Sequence, residues 1–215
     1  MLRGRLRRVR LPERRGRYAG STNKEADVME LQDYSGDLVP NLRWQDFSKE
    51  ALIRLLNESQ RALIMMDGFW HTKVAEEFGI DKADAWGGEV WGTDYVKHMV
   101  PRIMKAMNIS GNDVETYMKY LQVDPGLPLE MWDYRIDLKD KNHAVWTVDR
   151  CPSLLFMERE GKGREAVVCQ QMEVEAIKGY ARYFNPAIKV TPLKLPPRKG
   201  PDDLPHCQFE FRLEQ

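Results

Sequence analysis

The sequence predicts an α+β protein in which N-terminal helices precede a ββααββ antiparallel unit whose helices pack on one face of the sheet. Three observations carry that expectation. Apolar residues recur every three to four positions from Leu52 to Phe78, the period of a helix with one greasy side. After Pro128 the period becomes two, as Trp132, Tyr134, Ile136 and Leu138 alternate with Asp133, Arg135, Asp137 and Lys139. Near the end, Cys207, Phe209, Phe211 and Leu213 share one face of a closing strand.

The first helix starts behind Ser48, whose hydroxyl suits the free amides, with Phe47 and Leu52 as a hydrophobic staple. It runs through Leu56, Leu63, Met66, Trp70 and Val74, skips a turn at Ser59, admits a bend at Gly68 and stops at Gly79. A second helix opens at Asp81, with Asp84 completing a cap, and reaches Asn108 despite Gly87, Gly88, Gly92 and Pro101. Those breakers imply that a backbone or ligand comes close, and packing against the first helix would suffice. A short helix from Asn112 ends at Asp124-Pro125-Gly126.

Asp140-Lys141-Asn142 turns the first strand into HAVWTVDRC, which delivers Cys151 to a strand-to-helix junction before Pro152. SLLFMERE is one helix, GKGR a joint, and EAVVCQQMEVEAIKGYARYF a longer helix with Cys169 in its first turns, where the helix start favours thiolate. Asn185-Pro186 closes it; AIKVTPLKL is an edge strand tolerating Pro192, and a Pro-rich loop leads to HCQFEFRL.

Composition narrows the partners. Lys plus Arg and Asp plus Glu both number 33, so no net field draws the chain to nucleic acid or lipid, and no apolar run is long enough to cross a bilayer. Three cysteines and no hydrophobic signal sequence indicate the cytoplasm, with a small molecule as partner and a homodimer compatible with the composition. Residues 1–33 read as a basic leader, either disordered or mis-annotated with a natural start at Met29; 34–127 are helical and 128–215 form the cysteine-bearing α+β region, integrated with the helices.

Cys151, Cys169 and Cys207 leave two hairpins and the helix between them, so one pocket could gather all three as ligands for Zn or Fe. The plainer alternative is that each is a small buried residue, and no CxxC spacing argues otherwise. Glu173, one turn after Cys169, suits a general acid or base if desolvated; otherwise it is a solvated helix residue. His71 could act as acid or base beside it, or be structural. Asp94 and His98, with Glu89 before them, make an ion pair more readily than a metal site. His206 is next to Cys207, yet strand alternation turns its side chain the other way. Trp70 and Trp91, beside the glycine-weakened segments, are the aromatic candidates for a flat ligand slot.

From Tyr34 onward, YSGDLVPNLRWQDFSKEAL, the GFW…EEFGI…EVW block and the C…C…NPAI…PP…HC-x-F pattern resemble a bacterial and archaeal family related to L-2-amino-thiazoline-4-carboxylic acid hydrolase. The closing cysteine-strand pattern is also similar to 4-vinyl-reductase-type small-molecule-binding domains. The resemblance implies a cysteine-lined pocket under a helical lid and ring-opening hydrolysis of a small sulfur or nitrogen heterocycle. The expected function is therefore a metal- or thiol-assisted hydrolase, with a non-catalytic ligand or metal sensor as the alternative.

Overall fold

Alternation decides the sheet. In the computed structural model, which describes residues 30–214, β1 (Asp133–Asp140) and β2 (His143–Arg150) form the expected hairpin, pairing Tyr134 with Val148 and Ile136 with Trp146. β3 (Ile188–Lys194) and β4 (Cys207–Leu213) complete an antiparallel sheet in the spatial order β1-β2-β4-β3. Pro192 is accommodated because β3 is an edge.

One face of that sheet is covered by α5 (Val114–Leu121) and α8 (Glu173–Phe184). Asp113 starts α5 by accepting the Thr116 amide at 2.9 Å, and Tyr117, Met118, Tyr120 and Leu121 then face inward. From α8 come Val174, Ile177, Ala181 and Phe184 at helical spacing. The Tyr117 ring stacks on Phe184 at 5.0 Å and meets Phe211 edge-on at 5.4 Å. Each such aromatic, fully removed from water, contributes about 1.5–3 kcal/mol.

The chain divides into a first unit ending at Ala51 and a second from Leu52 to Gln215. The helices from Leu52 onward and the sheet are thus one unit. In the first, Leu31 bridges Phe47 in parallel and the Tyr34 ring meets Phe47 edge-on. Leu31 is therefore paired with the segment ahead of the first helix. The expected start at Met29 lies outside the described residues.

α1 (Lys49–Phe78) begins and ends where expected: Ser48 Oγ accepts the Ala51 amide at 3.2 Å, and Gly79 leaves the helix at φ 89°. It is unbroken at Gly68. α2 (Ile80–Glu89) follows directly, with no side-chain cap, so Asp84 is free for another role. A π-helical segment, Val90–Tyr95, then leads into α3 (Val96–His98) and α4 (Val100–Ala106). On the far side of the first hairpin lie α6 (Pro152–Glu160), α7 (Glu165–Val167) and a second π-helical segment, Val168–Met172, running into α8.

The first π-helical stretch crosses α8. A Cβ on Gly92 would sit 3.2 Å from Ala176 Cα, and one on Gly179 would sit 2.8 Å from the Gly92 carbonyl oxygen. The glycines thus admit a backbone, as expected, but that of α8 rather than α1.

Candidate thiol and carboxylate site

Sheet register brings the first two thiols together. Cys207 opens β4 opposite Val148, and Cys151 follows β2 by three residues beyond that same Val148. Cys151 is the N-cap of α6, where its Sγ accepts the Leu154 amide at 3.4 Å. Its own N–H donates to His206 Nδ1 at 3.0 Å. Cys169 comes from the π-helical segment ahead of α8, with Gln170 beside it donating to the Pro196 carbonyl at 2.8 Å.

The thiols feel one another. Burial first, then Glu173 and the charges of Cys151 and Cys207, raise the Cys169 thiol. Burial and then Cys151 and Glu173 do the same to Cys207. Burial chiefly pushes Cys151 up to about 11, against a smaller lowering by the Leu154 amide. All three are protonated at neutral pH. That overturns the thiolate expected at a helix start: Cys169 sits inside a continuous helical run, where desolvation outweighs the dipole.

Glu173 is the centre of the group. Burial raises its carboxyl pKa, and the neighbouring charge of Asp67 raises it further. Glu173 is nevertheless an exposed residue. The surface at Glu173, within electrostatic reach of Asp67 and the three thiols, is the candidate recess. Asp67, on α1, is also raised by burial, against hydrogen bonding from Trp91 and the charge of His71. Asp67 is a site residue that the sequence reading missed; its only signal is that it lies one helical turn before His71.

His71 is committed elsewhere. Its Nε2 lies 2.8 Å from Asp84 Oδ1, the same oxygen that accepts from Arg164 at 2.7 Å, while Arg164 also reaches Glu160 at 2.7 Å. This network ties α1 to α2 and to the α6–α7 joint. Trp91 is half-buried, linking Asp67 to the Tyr95 ring at 4.9 Å. Trp70, by contrast, is 67 % exposed.

His206 is buried rather than turned to solvent. Because its Nδ1 accepts from the Cys151 amide, the ring is neutral with its proton on Nε2; burial and Arg198 lower its pKa in the same sense. It holds Cys151 in place and offers no lone pair to an ion. Glu89, Asp94 and His98 are exposed.

Asp124 was read only as a helix stop. Its carboxylate is buried, accepting the Tyr95 hydroxyl at 2.7 Å and the Gly126 amide at 2.9 Å, so it closes its own turn against the tyrosines. Glu165 Oε2, whose charge acts on Cys169, is buried without a partner, as is Arg164 Nε in the network with Asp84.

Three thiols and a carboxylate suit Zn or Fe by their chemistry. Their placement does not, since among the described residues no three His, Cys, Asp or Glu side chains stand together closely enough to hold an ion. No helix among them is long and apolar enough to cross a membrane.

One protein-family model matches residues 45–213, and its description is "Family of unknown function (DUF6125)". No curated protein and no solved structure matches the chain.

Proposed function

The chain belongs to the DUF6125 family of unknown function, and from its own side chains we propose a cytoplasmic hydrolase that opens a small nitrogen- and sulfur-containing ring in the recess at Glu173. The observation that carries this reading is a carboxyl raised by burial, still accessible, and shifted by no cation. Such a group holds a proton more tightly than an ordinary glutamate and favours a ligand that arrives basic.

A cyclic amidine meets that demand. Glu173 gives its proton to the ring nitrogen, so that its carboxylate forms beside the amidinium as an ion pair rather than as a lone charge. Water adds to the amidinium carbon while Glu173 takes the water's proton. The adduct collapses with its ring carbon–sulfur bond breaking; the electron pair stays on sulfur, which receives the Glu173 proton, and the adduct's hydroxyl proton restores the acid. Asp67 keeps the Glu173 pKa high, the Glu165 Oε2 acceptor suits a ligand N–H, and the protonated thiols form a soft, uncharged wall. Free thiols suit a reducing compartment.

Binding without turnover is the second reading. It is favoured by the same thiols, which line the recess without supplying a nucleophile. Zn or Fe on Cys151, Cys169 and Cys207 would require the thiols to close up and ionise, and no step above runs through it.

The test uses 2-amino-2-thiazoline, with ring opening followed by mass spectrometry and binding by thermal shift. Turnover in the wild type that falls on the order of 100-fold or more in Glu173→Gln, with binding retained, supports the hydrolase. Equal turnover in both proteins rejects Glu173 as the acid. Binding with no turnover in the wild type selects the sensor.

A further inference from the structure

We infer that α1 is a dimerisation helix whose apolar stripe is covered by the same stripe of a second copy, paired antiparallel about the residue 61 level. This rests on α1 alone and is independent of the recess chemistry.

The stripe is Leu52, Leu56, Ser59, Leu63, Met66 and Trp70, at spacings alternating between four and three residues. Its large members face solvent: Leu56 is 57 % exposed, Leu63 39 %, Met66 55 % and Trp70 67 %. The face turned to the body is instead Asn57, Gln60, Ile64, Asp67 and His71, all partly covered. A helix with its polar residues inward and its leucines outward is half of a packing arrangement.

The area fits one occupant. With the flanking Leu55 and Phe69 included, the exposed apolar side chains on this side of the helix present roughly 700 Å², close to the ~800 Å² that each partner contributes to a standard interface. The largest apolar patch on a typical monomer is about 300–600 Å².

The pattern also complements itself. Under a two-fold axis at the residue 61 level, Leu52 faces Trp70, Leu56 faces Met66, and Leu63 faces the small Ser59, whose hydroxyl is already spent on the Leu55 carbonyl at 2.8 Å. No charge interrupts the stripe before Lys73. A closed two-fold interface requires one patch that matches itself, and shallow antiparallel crossing of alternating four-and-three ridges is ordinary helix packing.

Sedimentation of the full chain tests this. The wild type is expected at twice 25.1 kDa, while Leu56→Lys and Met66→Glu, each on an exposed face and checked for native circular dichroism, sediment as monomers. Mixing the two variants restores a dimer, because Lys at 56 of one copy then faces Glu at 66 of the other. A monomeric wild type at every loading concentration, a dimer that survives both substitutions, or a mixture that stays monomeric overturns the proposal.

Discussion

α1 and α8 are both long helices with apolar residues at helical spacing, yet they use those residues in opposite directions. α8 buries Val174, Ile177, Ala181 and Phe184 against the sheet and keeps Glu175 and Lys178 outside as an ion pair. α1 buries a single residue, Ala51, and sends Asp67 and His71 toward the body. Periodicity therefore identifies a stripe without saying what covers it. In α8 the cover is the same chain's sheet; in α1, among the described residues, the stripe is left exposed.

The sharpest way to break this contrast is to truncate α8. Phe184→Ala removes a ring stacked on Tyr117 and is expected to lower unfolding free energy by about 3–5 kcal/mol in a denaturant titration. A loss below about 1 kcal/mol would mean that α8 is no better anchored than α1.

Next in size is the crossing of α8 with the π-helical segment after α2. Gly179→Ala places a methyl 2.8 Å from the Gly92 carbonyl oxygen, a rigid backbone atom, and is expected to cost about 1–3 kcal/mol. The same change at Gly68 of α1, where nothing lies within 4 Å, is expected to stabilise by up to about 1 kcal/mol. Measuring the pair separates a glycine needed for approach from one that is not.

A smaller effect concerns pH. The Glu173 carboxyl is held above its ordinary value of 4.5, by burial first and by Asp67 second, so the folded chain binds that proton more tightly than the unfolded chain does. Its contribution is complete below about pH 4.5 and is lost as pH climbs through the raised value. Glu173→Gln cannot titrate. Its stability is expected to fall less than that of the wild type as pH rises above that range, read as the difference between two sets of chemical melts.

The smallest effect belongs to the outer stripe. Leu63→Gln, measured at dilutions where the chain is monomeric, is expected to stay within about 0.5 kcal/mol of wild type. Ile177→Ala on α8 at the same dilution is expected to cost about 2–5 kcal/mol.

Much of the fold was legible because local rules and tertiary packing agree. Alternation from Trp132 to Leu138 located the first strand, Ser48 and Gly79 bounded the first helix, and Pro192 marked an edge. What could not be read was long-range. Asp84 has the spacing of a cap, but its partners His71 and Arg164 lie 13 and 80 residues away. Gly92 announces a close approach without naming Gly179 as its neighbour. For the site, the cysteines and Glu173 were visible as residue types at a helical interval, whereas Asp67 has no pattern of its own. The exposure of Trp70 depends on which side of α1 the body lies, which no local pattern gives.

The widened turn from Val168 to Met172 has a consequence for chain length. A π-helical turn accommodates one residue beyond what the regular spiral needs over the same rise, while the helix on either side continues undisturbed. This stretch is thus a natural place for a single-residue insertion or deletion. A version shorter by one residue there is expected to turn Cys169, and the Gln170 side chain that donates to the Pro196 carbonyl, to a new angle about the axis of α8.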